Sequence, residues 1–270
     1  CHDRGLGLGP GREEAALHEE DVQAFFLHLP SYDNIIPRMA TIGLFYCAAV
    51  WGATFFMVKG ALADVDPVAL VAIRFLISAA CLLPWMLRRN WPALLGEGFI
   101  LSLILAALYL SQTMGLAYTS ASNSGFITGL FILFVPLFMM IVYGKSLSVA
   151  QWLAVAVALA GLWLLTGGVS GINRGDVMTL IAAATYAAHV LFTDRFVRAE
   201  ADVVVLAFHQ FWMTALLCFV YGGATGCSFA VGSPKAWGTI IFLALVPTMS
   251  AFFIQMLAQK TVAPLKVSLI

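Results

Sequence analysis

Residues 67–87 read PVALVAIRFLISAACLLPWML, and one ionisable side chain, Arg74, interrupts the run. A helix of about 20 predominantly apolar residues crosses the hydrocarbon of a bilayer. In lipid the backbone must satisfy its own hydrogen bonds, so such a run is read as a helix. Working outward, comparable runs lie at 41–60, 98–117, 122–143, 149–167, 176–193, 203–222 and 237–257. A ninth begins near Val262 and continues to Ile270. Turn residues separate them, at Asp64 to Pro67, Arg88 to Pro92, Gly144 to Ser146, Gly167 to Gly175 and Gly222 to Pro234.

Composition agrees. Apolar residues make up 61% of the 270 and charged residues 10%, against about 25% charged in a soluble domain. Mean hydropathy is +0.94. The chain therefore reads as an all-α integral membrane protein whose surface faces the lipid bilayer. Lys and Arg balance Asp and Glu, 14 to 14, without a basic stripe, so no nucleic-acid partner is expected. Cys47, Cys81 and Cys218 sit in apolar runs as small hydrophobes, with Cys227 in a loop and Cys1 first. No disulfide framework, metal site or cofactor is expected from them. Residues 1–38 are polar, and Met39 opens the first apolar segment. They read as a cytoplasmic tail or, preferred, as an over-extended start with Met39 as initiator.

Basic residues set the orientation. With a cytoplasmic N-terminus, Arg38, Arg88, Arg89, Lys145, Arg195, Arg198 and Lys260 fall inside, and Lys59, Arg174 and Lys235 outside. A shift of 135 residues brings Trp51 onto Tyr186 and Arg74 onto His209, and Ala48, Ala49, Val68 and Ala72 onto identical residues. Two repeats follow, at 39–167 (spans one to five) and 174–270 (spans six to nine). An odd number of spans per repeat gives the copies opposite orientation, the inverted plan of secondary transporters.

Several short motifs stand in fixed order: Trp51-Gly52-Ala53-Thr54-Phe55-Phe56, Asp66-Pro67, Arg74-Phe75, Ala117-Tyr118-Thr119-Ser120-Ala121, Pro136, Ala258-Gln259, Ala263-Pro264 and Lys266. On these residues the chain resembles the EamA-type branch of the drug/metabolite transporter superfamily, over about 40–270. The resemblance implies ten helices in two inverted five-helix repeats, with both termini cytoplasmic. It also implies transport of metabolites, amino acids or drugs across the plasma membrane. Three departures stand out. Eight complete helices and the start of a ninth are present, so the chain reads as truncated at its C-terminus. Gly144-Lys145 stands where Gly-Glu is common, and Val135 stands where an acid often precedes the proline.

A charge at bilayer depth costs roughly 2.5–3.5 kcal/mol on insertion scales. Arg74 lies ~10 Å below the outer end of its span at 1.5 Å per residue. It either contacts an anion in a substrate cavity or serves structurally, bonding carbonyls or snorkelling. His209, beside Gln210, and His189 are ionisable near neutral pH, but an interhelical hydrogen bond is the preferred reading for both. Gln112, Asn123 and Gln255 are polar candidates for a cavity wall or for helix–helix bonding. Trp51 offers a flat wall, and Gly52 a close approach. Pro136 and Pro247 predict kinks. No Asp or Glu lies deep in a complete span. The expected substrate site is walled by Trp51, Arg74, Gln112 and His209, between the repeats. Its expected occupant is a small molecule carried by alternating access. A homodimer is left open. The competing readings are a membrane-embedded enzyme and a non-transporting truncated subunit. The spans hold no Gly-x-Ser-Gly or His-Glu-x-x-His, and the chain holds no phosphate-binding Gly-x-x-x-x-Gly-Lys-Ser/Thr sequence, so catalytic residues are not expected.

Overall fold

The computed structural model describes residues 32–144, 146–166 and 173–270. Lys145, residues 1–31 of the tail and the 167–172 break lie outside the described residues. Residues 40–270 form one compact unit. Its helices are α1 (Tyr32–Ala61), α2 (Pro67–Met86), α3 (Leu95–Tyr118), α4 (Ala121–Gly129), α5 (Phe131–Tyr143), α6 (Val149–Thr166), α7 (Arg174–Arg198) and α8 (Val203–Thr225). Then come α9 (Pro234–Leu243), a wide π-turn (Ala244–Ser250), α10 (Ala251–Gln259) and α11 (Pro264–Leu269). Seven stretches of the described residues are long and apolar enough to cross a membrane, and Val149–Leu164 is a shorter apolar helix. The protein is an all-α, multi-spanning membrane protein. Each expected span is helical, the fourth and eighth with interruptions, and the first helix starts at Tyr32, nine residues before the expected 41.

The helix starts follow from local chemistry. Asp66 accepts the Val68 N–H at 2.8 Å, with Pro67 as the first helical residue of α2. Asp202 accepts the Val204 N–H at 2.9 Å to start α8. Ser233, followed by Pro234, does the same for α9. Asn173 and Asp176 form a reciprocal capping box at α7. Such oxygens satisfy amides that the first turn leaves without partners, and proline there loses no bond.

The fourth span departs from the single helix expected over 122–143. It breaks at Leu130, and Pro136 lies inside α5 beyond the break. At the break the backbone tightens to i+3 bonds, Leu130 N–H to Ile127 O and Leu133 N–H to Leu130 O at 2.8 Å. A Cβ at Gly129 would lie 2.5 Å from a Leu162 methyl, so the break lets α6 approach at a residue without a side chain.

The halves interleave. α2 runs along α8, and α3 packs on both α7 and α8. Their shared core holds Phe75, Leu105, Tyr109, Phe211, Phe252 and Met256. One end is tied by an Arg89–Asp202 ion pair and by Arg198 Nη2 donating to Val262 O at 3.0 Å. The opposite end is tied by Gly232 N–H to Asp64 O at 2.8 Å and Ser233 Oγ to Asp64 Oδ2 at 2.7 Å. Among the described residues the only strand-like pairing is a single bridge there, Val65 to Val231.

Candidate functional site

The site is built from a missing donor. Pro247 has no N–H to give the Leu243 carbonyl four residues earlier, and the π-turn brings the Thr248 N–H to it instead. The Thr248 hydroxyl adds a second bond, donating to Leu243 O at 2.7 Å. Its oxygen then accepts from Arg74 Nε. Carbonyls in and just after the π-turn also accept from side chains on neighbouring helices. Trp51 Nε1 donates to Pro247 O at 2.7 Å, Ser78 Oγ to Ala244 O at 2.8 Å, and Cys47 Sγ to Ala251 O at 3.2 Å. A wide turn is thus held by α1 and α2, which fixes the orientation of Trp51 and Arg74.

Arg74 is 2% exposed. Besides Thr248, its Nη2 donates to the Tyr109 hydroxyl at 3.3 Å, and its guanidinium carbon lies 4.7 Å from the Tyr109 ring centroid. Stacking and a hydrogen bond therefore join one cation to one phenol.

On the other side of Tyr109 lies a cavity of about 240 Å³. Its walls include Trp51, Tyr109, Gln112, Thr128, Tyr186 and Phe252. Trp51 meets Tyr186 edge-on at 5.9 Å and Phe252 at 5.3 Å between ring centroids. Gln112 Nε2 donates to Thr128 Oγ1 at 3.1 Å, tying α3 to the end of α4 beside the break. No acidic or basic side chain lines the cavity among the described residues. The polar groups are few, in an aromatic setting, as in sites for small organic molecules.

The geometry divides the four residues singled out from sequence. Trp51 and Gln112 wall the cavity. Arg74 stands behind Tyr109 and is not part of the wall. His209 is buried elsewhere: its Nδ1 accepts from Trp212 Nε1 at 3.0 Å, leaving Nε2 to donate to Trp91 O at 2.7 Å in the α2–α3 loop. The repeat register explains the separation. Counted from the capping Asp66 and Asp202, Arg74 matches Gln210, one residue beyond His209. Gln210 is itself engaged, with His189 Nε2 at 2.9 Å and Met256 Sδ at 3.3 Å. Among the other candidates, Asn123 is buried in α4, and Gln255 Nε2 donates to Gln259 Oε1 at 3.2 Å.

Sequence reasoning missed Tyr109, Thr248 and Phe252. Two signals existed. Tyr109 lies three residues before Gln112 on one helix face. Thr248 directly follows the proline whose missing bond it replaces. Among the described residues no group of three or more His, Cys, Asp or Glu side chains is placed to hold a metal ion.

Comparison with known proteins places the chain in a family. Residues 38–167 and 173–270 each match the EamA-like transporter family. An uncharacterized transporter of Archaeoglobus fulgidus is 30% identical over 82% of this chain and 68% of its own. The uncharacterized transporter YwfM of Bacillus subtilis is 26% identical, over 82% of this chain and 75% of its own. A solved crystal structure shares the fold, with a TM-score of 0.67 at 20% identity, covering 86% of this chain and 83% of that one. The chain therefore belongs to the EamA-like transporter family of the drug/metabolite transporter superfamily, and it is a multi-spanning membrane transporter rather than an enzyme.

Proposed function

We propose that this transporter is a secondary carrier that moves a small metabolite or amino acid by alternating access, with the aromatic cavity as its substrate site. One observation carries the reading: the cavity is bordered by both interrupted spans. Thr128, Gly129 and Phe131 come from the α4–α5 break, and Phe252 from just beyond the π-turn. Carriers built from inverted repeats hold substrate between the repeats at discontinuous helices, and the repeats rock around it. The repeats proposed here are 39–167 and 174–270. At about 240 Å³ the space falls below the roughly 300–1,000 Å³ typical of drug-sized ligands, which favours a small metabolite. The site comprises Trp51, Gln112 and Tyr109, with Arg74 behind. His209 is assigned to holding the α2–α3 loop. The basic-residue bias supports a cytoplasmic N-terminus in the plasma membrane.

The test uses Gly52, which lines the cavity and has nothing within 4 Å of an added Cβ. Gly52→Cys is placed in a background with the native cysteines replaced by alanine or serine. An impermeant thiol reagent is then applied to right-side-out and inside-out vesicles. Labelling of this one position from both sides is expected. Labelling from one side only, under every condition, overturns alternating access. Cysteines at Arg88 and Lys235 test topology in the same vesicles. Labelling of position 88, and not 235, from outside reverses the proposed orientation.

A further inference from the structure

We propose that Tyr109 reads a carboxylate on the carried molecule and that Arg74 acts behind it as a positioning residue. The inference rests on the cavity being the substrate site and names the class of molecule that fills it: a small organic acid with an apolar or aromatic body.

The first observation is an unbalanced charge. Arg74 is buried, and its polar partners, the Thr248 and Tyr109 hydroxyls, are neutral. The ion pairs among the described residues, Arg89–Asp202 and Arg198–Asp194, lie at helix ends and loops. A buried cation without a counter-ion is unfavourable until an anion offsets it. The second observation is the direction of the hydrogen bond. The Tyr109 oxygen accepts from the guanidinium, so its own proton is left to donate. No acceptor for that proton is found among the described residues. A phenol that accepts from a cation is polarised and donates more strongly. The third observation is place. Tyr109 lines the cavity and Arg74 does not, so the charge reaches the cavity through the phenol. Bonds from such donors to carboxylate oxygens belong to the strong, charge-assisted class. The remaining walls are aromatic, aliphatic or uncharged polar, with no acid to hold a cation. Gln112 is the neighbouring polar group on the same face of α3.

The experiment uses the purified full chain in detergent and three probes of one shape: phenylacetate, phenylacetamide and phenethylamine. Binding is read by tryptophan fluorescence, with Trp51 in the wall. Phenylacetate is expected to bind about tenfold or more tighter than phenethylamine, whose ammonium cannot accept from the Tyr109 hydroxyl and is repelled by Arg74. Tyr109→Phe is expected to weaken phenylacetate about tenfold and phenylacetamide about threefold or less. Arg74→Lys, which keeps charge but loses the planar fork, is expected to retain part of the preference for phenylacetate. Arg74→Gln is expected to abolish it. A merely structural Arg74 would lower binding of all three probes together, and that result overturns the inference. So does an unchanged preference in Tyr109→Phe, or no binding of phenylacetate. Gly52→Trp, which fills the cavity, separates the two failures. Binding that survives Gly52→Trp removes the cavity as the substrate site, and the inference with it. Binding lost in Gly52→Trp but insensitive to Tyr109→Phe leaves the site standing and removes only the carboxylate reading.

Discussion

Eight residues after its capping aspartate, α2 carries Arg74, and at the same distance α8 carries Gln210. Both side chains are buried, and both reach across to the span that holds the π-turn. Their surroundings differ. Arg74 meets two hydroxyls and an aromatic face, one of which opens onto the cavity. Gln210 closes a neutral set with His189 and Met256, and His189 in turn meets Thr193 at 3.5 Å and the Phe252 ring edge at 5.5 Å. One fold position thus holds charge in the first half and spends its polarity internally in the second. Similar backbones leave the electrostatics of the two positions free to diverge, and the charged position is the one that contacts Tyr109 of the cavity wall.

The sharpest way to break the comparison is to give the second half the charge of the first. Gln210→Arg places a cation beside His189 with no hydroxyl pair to receive it. Loss of about 2.5–3.5 kcal/mol, or failure to accumulate in the membrane, is expected from insertion costs. Unfolding by SDS titration of the purified protein measures it, and a fully stable variant would show that the two surroundings are interchangeable. Next comes Thr248→Val, which removes the hydroxyl that accepts from buried Arg74 and donates to the Leu243 carbonyl. A loss of about 2–3 kcal/mol is expected in the same titration. His189→Phe removes one neutral interhelical bond, for which about 1 kcal/mol or less is expected. A loss as large as that of Thr248→Val would erase the distinction between charged and neutral halves. Smallest is Arg89→Ala. Its ion pair with Asp202 is about two-fifths exposed on each side, and such pairs contribute less than about 1 kcal/mol. A larger effect would move the stability difference from the buried positions to the tied ends.

The spans were legible because lipid imposes one requirement on length and hydropathy, and every expected run is helical. The break at Leu130 was not legible. Gly129 meets Leu162 of another helix beside it, a contact that no local pattern records. Trp51 and Gln112 could be picked out because large or polar side chains are costly in a span without a role. Tyr109 and Phe252 hid among many aromatics, since a phenol in an apolar helix reads as packing until its hydroxyl partner is known. Pro247 was read as a kink, but its consequence, a hydroxyl relay to Arg74, needs the fold to bring α2 alongside. His209 was paired with Arg74 through Ala and Val identities, which recur by chance in apolar helices. The capping aspartates give the register one residue away.

The π-turn at Ala244–Ser250 also sets the angular phase of its span. An α-helix advances about 100° per residue, and a π-turn accommodates one residue more before the ladder resumes. Upstream, Ile240 and Leu243 pack with Val65, Ala69 and Leu70. Downstream, Phe252 and Met256 pack with Phe75, Tyr109 and Phe211. Deleting one residue from this turn would restore an even pitch and rotate one half against the other by about 100°. Either Ile240 would leave its cluster or Phe252 would leave the aromatic wall. The span is therefore far more sensitive to its residue count here than to the identity of its apolar side chains.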